Sequence, residues 1–165
     1  MFDAAVVIAL GSSLAGGFAT REALLEAALS RFAAAGLKPV KRSSWWRSAS
    51  WPDPTLPDYI NGLAIVETSL SAPLTMAALR RIEAEFGRRR SAANAPRTLD
   101  LDLIAHGRTV LETPELTLPH PRAAERLFVM GPLAELAPGW RHPVLGETAA
   151  ALAAKAKVGA DARPL

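Results

Sequence analysis

The stretch Pro96-Arg97-Thr98-Leu99-Asp100-Leu101-Asp102-Leu103 alternates leucine with aspartate. A period of two is typical of a β-strand, with the leucines in a core and both carboxylates on the opposite face. Residues two apart on one strand lie roughly 6.5–7 Å apart, so the side chains of Asp100 and Asp102 can converge on metal ions. Two carboxylates beside Arg97 suit Mg²⁺ and phosphate better than zinc or a thiol site.

A strand with one solvated face is the alternative interpretation, in which the two aspartates only keep the strand soluble. Aspartate is depleted in strands, however, and two carboxylates on one face repel each other unless a cation lies between them. The pattern therefore favours a cation site.

Composition limits the class of protein. The chain has 165 residues, of which 50% are hydrophobic, enough for one well-buried domain and too few for two. It contains no cysteine, which excludes disulfides and thiolate metal sites. The apolar run 4–10 has no basic region before it and is far too short to span a membrane. We expect one catalytic domain over residues 1–165, cytoplasmic, with a frayed tail from about residue 158.

Positive charge is concentrated in arginine. The net charge is +3, and only four of the 19 basic residues are lysines. The clustered arginines are Arg80, Arg81, Arg88, Arg89, Arg90 and Arg97. Guanidinium groups match phosphate oxygens in pairs, so this cluster indicates an anionic partner. The alternative is a solvated helix end followed by a basic loop.

Hydrophobic periodicity, together with the capping, glycine and proline residues at the ends of elements, predicts the order β-α-β-β-α-β. The predicted strands are 5–10, 40–48, 59–68 and the aspartate strand; the first helix is capped by Thr20 and closed by Gly36, and the second starts near Pro73 and ends at Gly87. A hairpin through Gly107 to residues 109–111 and helices over 123–135 and 149–156 should follow, with a break or kink at Gly131-Pro132. This order predicts an α+β, ferredoxin-like fold: an antiparallel sheet with helices on one face, a free opposite face and a C-terminal helical extension.

Other motifs limit the kinds of catalytic and binding site that the chain can form. Residues 11–17 resemble a phosphate loop, but Gly17 and Phe18 stand where Lys and Ser or Thr are needed, so glycine here indicates a tight turn or a close approach. The sequence contains no nucleophilic triad and no multi-histidine zinc motif. Trp51 and Tyr59 flank a proline-rich loop and could line a slot for a flat ligand, with the amide of Asn61 facing its edge. Alternatively, Asn61 braces the neighbouring loop.

The run of residues 96–102, PRTLDLD, resembles a signature of the 6-hydroxymethyl-7,8-dihydropterin pyrophosphokinase family of folate synthesis. The flanking matches are Gly11-Ser12, Pro57 to Asn61, Glu67-Thr68, Gly87-Arg88 and Leu118 to Arg122, and the similarity extends from about Val6 to about Val144. Departures from the family pattern occur at Ser13, 49–51, 93–95, Glu115 and Pro121.

The resemblance implies transfer of the diphosphate of ATP to the hydroxymethyl group of the reduced pterin, with release of AMP. Two Mg²⁺ ions would be held by Asp100 and Asp102 in an in-line mechanism. The implied catalytic residues are Arg88, Arg97, Asp100 and Asp102. The implied ATP-binding residues are Arg88, Arg97, Leu103, Thr117, His120, Arg126 and Glu83. The implied pterin-binding residues are Ser48, Trp51, Tyr59, Asn61 and Phe128. The implied partners are ATP and the pterin, without nucleic acid or membrane, and we expect a monomer.

Two other classes of protein share parts of this pattern. An RNA-binding module on a ferredoxin-like sheet predicts aromatic side chains on the central strands, where paired aspartates would repel the phosphates. A two-metal nuclease or phosphatase usually needs more carboxylates than one pair.

Overall fold

The computed structural model describes residues 3–50, 53–87 and 98–165. The elements are β1 (Val6–Ser12), α1 (Arg21–Leu29), β2 (Lys38–Arg42), β3 (Trp46–Ser48), β4 (Tyr59–Glu67), α2 (Ala72–Glu85), β5 (Asp100–His106), β6 (Leu111–Glu112), β7 (Thr117–Leu118), α3 (Leu127–Leu136), α4 (Ala149–Lys155) and β8 (Arg163–Pro164). Short 3₁₀ turns follow α1 and precede α3. None of the described helices is long and apolar enough to cross a membrane.

The main sheet is antiparallel, with the strand order β5-β1-β4-β3-β8 and β2 paired beside β3 on β4. This order matches the predicted ferredoxin-like α+β arrangement. The predicted strand over 40–48 is interrupted, because the chain leaves the ladder between Arg42 and Trp46. Leu111–Glu112 pairs with β7 rather than folding back on β5, so the predicted hairpin through Gly107 is only a turn.

Local signals start both helices and end α2 near Gly87, but the prediction that Gly36 closes the first helix is wrong, because α1 ends at Leu29 and Gly36 closes the 3₁₀ turn over Ala33–Ala35 that follows it. Thr20 accepts a hydrogen bond from the backbone N–H of Ala23, and Ser71 accepts one from that of Leu74. Gly36 and Gly87 have φ values of +88° and +77°, the left-handed conformation that glycine adopts at helix ends. The apolar faces of α1 and α2 pack on the sheet face that carries the core leucines of β5.

The second face of the sheet is not free, which corrects the expectation from sequence. Helices α3 and α4 cover one end of it, where Val7, Leu63, Ile65 and Ile104 form a second apolar cluster. The same face is polar at its other end. Because strand residues alternate between faces, Gly11, Asn61 and Asp102 lie on this face beyond the edge of α3.

Tertiary packing overrides two expectations about the C-terminal part. The expected break at Gly131-Pro132 does not occur: helix α3 continues through Pro132, since its residues are buried on several sides and Gly131 leaves room for the ring of Trp46. Instead of fraying, the last residues form β8, which pairs with β3 and places Ala162 in a buried position.

Candidate active site

A cleft of about 120 Å³ lies between the polar end of the sheet and the first turn of α3. Strands β1, β3, β4 and β5, helix α3 and one residue of the C-terminal segment line it. The lining residues are Ala9, Leu10, Gly11, Ser48, Ala49, Tyr59, Asn61, Asp100, Asp102, Ile104, Arg126, Phe128, Val129 and Val158. Seven of the predicted site residues are therefore brought together in one place.

The aspartate strand has the predicted alternation. Leu99, Leu101 and Leu103 are buried in the core on one side of β5, and Asp100 and Asp102 line the cleft on the other. Burial and the charge of Asp100 raise the pKa of Asp102 to about 7, while the positive charge of Arg80 opposes this shift. The two carboxylates are therefore costly to ionise together, and a bound cation would lower that cost.

The donor set fits Mg²⁺ held together with a nucleotide. The described residues contain no group of three or more His, Cys, Asp or Glu side chains that could enclose an ion. Asp100 and Asp102 could supply two of the six oxygen ligands that Mg²⁺ takes, and phosphate oxygens and water could supply the rest. With only two carboxylates, such a site would depend on the phosphate oxygens of a bound nucleotide to complete the coordination of the metal.

Arg126 brings positive charge to the carboxylates. It precedes α3, and its guanidinium lies 5.6 Å from the centre of the Phe128 ring. Burial lowers the pKa of Arg126, and the charges of Asp102 and Asp100 oppose that shift. This side chain can bridge the carboxylate part of the cleft and its aromatic wall.

His120 is held in its neutral form. Its backbone N–H donates to the carbonyl of Ile104 over 2.8 Å, and its Nδ1 accepts from the backbone N–H of Arg122 over 3.3 Å. Burial, followed by the charge of Arg126, lowers the pKa of His120 to about 4. With Nδ1 accepting, the single proton of the neutral ring lies on Nε2, which makes His120 a hydrogen-bond donor rather than a cation.

The other half of the cleft has the features of a pocket for a flat heterocycle. Tyr59 and Asn61 lie on the same face of β4, and Ser48 is the register partner of Tyr59 on β3. Phe128 forms the opposing wall from α3. An aromatic face and an amide edge together can stack on a ring and pair with its polar rim.

Four of the described residues implied for ATP binding are not among those that line this cleft: Glu83, Leu103, Thr117 and His120. Glu83 is buried on α2, where its Oε2 accepts from the backbone N–H of Leu101 over 2.7 Å and its Oε1 from Arg80 over 2.8 Å. The side chain of Leu103 is in the core, so only its backbone could contact a nucleotide. Thr117 lies on β7, opposite Glu112.

Arg88, Arg97 and Trp51 lie outside the described residues, as do 93–95 and the rest of the arginine-rich loop. Conversely, sequence reasoning missed the apolar lining residues Ala9, Ala49, Val129 and Val158. Apolar residues carry no chemical signal of a site, and Val158 lies where the sequence predicted a frayed end.

Comparisons with known proteins identify one enzyme family to which this chain is similar. The model of the family described as 7,8-dihydro-6-hydroxymethylpterin-pyrophosphokinase matches residues 7–138. A protein from Synechocystis sp. named 2-amino-4-hydroxy-6-hydroxymethyldihydropteridine pyrophosphokinase is 48% identical over 114 residues, 69% of this chain and 58% of that protein. A protein of the same name from Haemophilus influenzae is 38% identical over 130 residues, 79% of each chain.

The extent of these matches differs. The chain spans less than two thirds of the length of the Synechocystis relative, and a folic acid synthesis protein from Pneumocystis carinii matches over only 19% of its own length, at 34% identity. A crystal structure of Plasmodium falciparum HPPK-DHPS has a TM-score of 0.70 at 13% identity, covering 92% of this chain and 43% of that one. At this identity the structural likeness concerns the fold alone.

Proposed function

Because the chain belongs to the 7,8-dihydro-6-hydroxymethylpterin-pyrophosphokinase family, we propose that it transfers the diphosphate of ATP to the hydroxymethyl group of 6-hydroxymethyl-7,8-dihydropterin. The new bond joins the hydroxymethyl oxygen to the β-phosphorus of ATP, and the bond from that phosphorus to the α-phosphate oxygen breaks. The products are the pterin diphosphate and AMP, and the hydroxyl proton is released. The enzyme would serve folate synthesis in the cytoplasm as a monomer.

One observation carries this proposal. The acidic pair Asp100 and Asp102 lies in the same cleft as the amide of Asn61 and the ring of Phe128. A Mg-nucleotide site and a heterocycle site side by side are what a transfer between these two substrates requires, because holding both reactants in line removes much of the entropic barrier.

Different residues of the cleft would bind each of the two substrates. Asp100 and Asp102 would hold two Mg²⁺ ions, which when bound neutralise the phosphate charge and orient the transferred group. Asn61 would pair with the polar edge of the pterin, and Phe128, Tyr59 and Ser48 would form the walls around it. The family resemblance adds Trp51, which lies outside the described residues, as a further pterin-binding residue. Arg126 and neutral His120 would donate to phosphate oxygens beside the carboxylates.

Further roles are proposed on the ATP side. Arg88 and Arg97 would clamp the phosphates in bidentate fashion, and their charge matters most when the group is being transferred. Thr117 and the backbone of Leu103 would border the nucleotide. Glu83 would not contact ATP. It would instead keep the edge strand β5 in place by accepting the hydrogen bond from the backbone N–H of Leu101.

The other protein classes predict different sites. An RNA-binding module needs aromatic side chains along the central strands, but β1 carries none and β4 carries only Tyr59, at its end. A two-metal nuclease needs carboxylates beyond the pair described here. The deciding experiment incubates the protein with Mg-ATP, with and without the reduced pterin. We expect AMP only when the pterin is present; pterin-independent hydrolysis or cleavage of added RNA would contradict the proposal.

A further inference from the structure

The C-terminal segment, residues 157–165, reaches the cleft although the family match ends at residue 138. The carbonyl of Val158 accepts from the backbone N–H of Leu127 over 2.9 Å, and its own N–H donates to the carbonyl of Glu125 over 3.0 Å. These two hydrogen bonds fix the segment beside Arg126, where α3 begins. Val158 itself lines the cleft.

Gly159 supports the aromatic wall. A Cβ atom at this position would lie 2.5 Å from Cδ1 and 2.9 Å from Cε1 of Phe128, so the ring rests directly on the glycine backbone. Cβ atoms in folded proteins essentially never make contacts this short, so a side chain here requires the ring of Phe128 or the backbone around Gly159 to shift. Because Phe128 and the adjoining Val158 both line the cleft, either shift changes the shape of the pocket.

The segment then crosses to the opposite wall. Oδ2 of Asp161 accepts from the backbone N–H of Ala49 over 2.8 Å, directly after Ser48 in the cleft lining. Residues 163–164 extend the sheet as β8 on β3, and the N–H of Leu165 donates to the carbonyl of Trp45 over 3.0 Å. The short strand β3 is thus held on both of its edges.

We propose that residues 157–165 form a strap that positions the two walls of the heterocycle pocket, with Gly159 acting through Phe128 and Asp161 acting through Ala49. Gly159 and Asp161 are positioning residues that set the affinity for the pterin without contacting it. A wall that is held in place before binding spares the ligand the cost of ordering it. This inference rests on the proposed function, because it takes the pterin as the ligand of this pocket.

The first test compares two glycines of similar backbone conformation. Gly159 and Gly146 have φ values of +67° and +72°, but a Cβ atom at Gly146 meets nothing within 4 Å. Both Gly→Ala changes strain the backbone, and only Gly159→Ala pushes on Phe128. Calorimetric titrations with the pterin and with Mg-ATP, together with KM values for both substrates, measure the effect.

We expect Gly159→Ala to weaken pterin binding by about tenfold or more, a change of about 1.4 kcal/mol, and to leave Mg-ATP binding near the wild-type value. Gly146→Ala should bind both ligands like the wild type, even if both variants melt at lower temperature. Unchanged pterin affinity in Gly159→Ala, or equal losses for the two ligands, overturns the strap.

The second test uses an exposed side chain, so that folding is not at risk. Asp161→Ala removes the acceptor for Ala49, and Asp161→Asn keeps an acceptor oxygen and should lose less pterin affinity. Asp3→Ala is the matched control, because Oδ1 of Asp3 accepts from the backbone N–H of Arg141 over 3.0 Å and does not line the cleft. If the wild type itself neither binds nor converts the pterin, the proposed function fails. If the wild type does both and Asp161→Ala and Gly159→Ala behave like it, only the strap fails.

Discussion

The amide of Asn61 lies over Gly11, its register partner across β1 and β4, so closely that a Cβ atom at Gly11 would be 2.6 Å from Oδ1 of Asn61. Glycine is therefore required at this position by the neighbouring side chain and not by a turn. The sequence predicted either a tight turn or the close approach of a neighbouring loop for the glycines of residues 11–17, and at Gly11 the neighbour is strand β4 rather than a loop.

We expect Gly11→Ala to displace the Asn61 amide and to weaken pterin binding, because a displaced amide leaves polar atoms of the ligand unpaired at a cost of roughly 1–3 kcal/mol. Mg-ATP binding should change little. The matched control is Gly17→Ala, since a Cβ atom at Gly17 meets nothing within 4 Å. Isothermal titration of both variants with each ligand checks this, and equal effects of the two substitutions would rule out the assigned role of Gly11.

Asn61→Ala and Phe128→Ala test the pterin pocket directly. Asn61→Ala removes the amide edge and Phe128→Ala the stacking face, so each should reduce pterin affinity by roughly 1–3 kcal/mol while Mg-ATP binding stays near normal. Parallel titrations beside melting curves measure both effects. If Asn61 only braces the structure and Phe128 only packs, both ligands should suffer alike and the melting temperature should drop sharply.

Asp102→Asn should raise the stability of the metal-free protein, and more at high pH than at low pH. The pKa of Asp102 in the folded state is about 7, above its ordinary value of 3.8. The folded state therefore binds more protons than the unfolded state between these values, and the wild type loses stability as the pH rises from about 4 to above 7. Asparagine has no such loss, so the gain in melting temperature should be larger at about pH 8 than at about pH 5.

The control for this experiment is Asp53→Asn. Hydrogen bonds from Thr55 lower the pKa of Asp53, which is an exposed residue, so its effect on stability should be constant over the same pH range. Without ligand, Asp102→Asn should melt at a higher temperature than the wild type. With Mg-ATP added, the wild type should melt at the higher temperature, because Mg-ATP stabilises it more than Asp102→Asn. A gain in melting temperature that is equal at both pH values would contradict the placement of Asp102.

Glu83→Ala separates a supporting role from a nucleotide-binding role. The substitution leaves the backbone N–H of Leu101 without its acceptor, which should cost roughly 1–3 kcal/mol of unfolding free energy. Glu85→Ala on the same helix removes only an exposed ion pair with Arg31 and should cost at most about 1 kcal/mol. Chemical denaturation measures both changes. A loss of Mg-ATP affinity in Glu83→Ala without a loss of stability would show that Glu83 binds the nucleotide.

The sequence predicts those parts of the fold and site that depend on residues close together in the chain, such as side-chain alternation along a strand and helix capping. Alternation on β5 assigns Asp100 and Asp102 to one face, and caps such as Thr20 mark where helices begin, because both effects involve residues close in the chain. Which strand lies opposite Gly11 is set by sheet register, which no local pattern contains.

Tertiary packing explains what the sequence did not predict. Pro132 predicts a broken helix, yet the contact of Gly131 with Trp46 and the burial of α3 maintain it. The role of Glu83 arises because β5 lies at the sheet edge and needs an acceptor for Leu101. The C-terminal segment lacks any periodic signal, and its order comes from its pairing with β3.

In the proposed reaction two phosphates move together from ATP to the pterin. The most direct test supplies ATP labelled at its β-phosphorus, with Mg²⁺ and 6-hydroxymethyl-7,8-dihydropterin, and follows the label by chromatography for the wild type and for Asp100→Ala and Asp102→Ala. The proposal predicts that the wild type transfers the label to the pterin product as unlabelled AMP appears in equal amount, and that both variants remain folded without transferring it. Label retained in ADP, or transfer undiminished in the two variants, would contradict it.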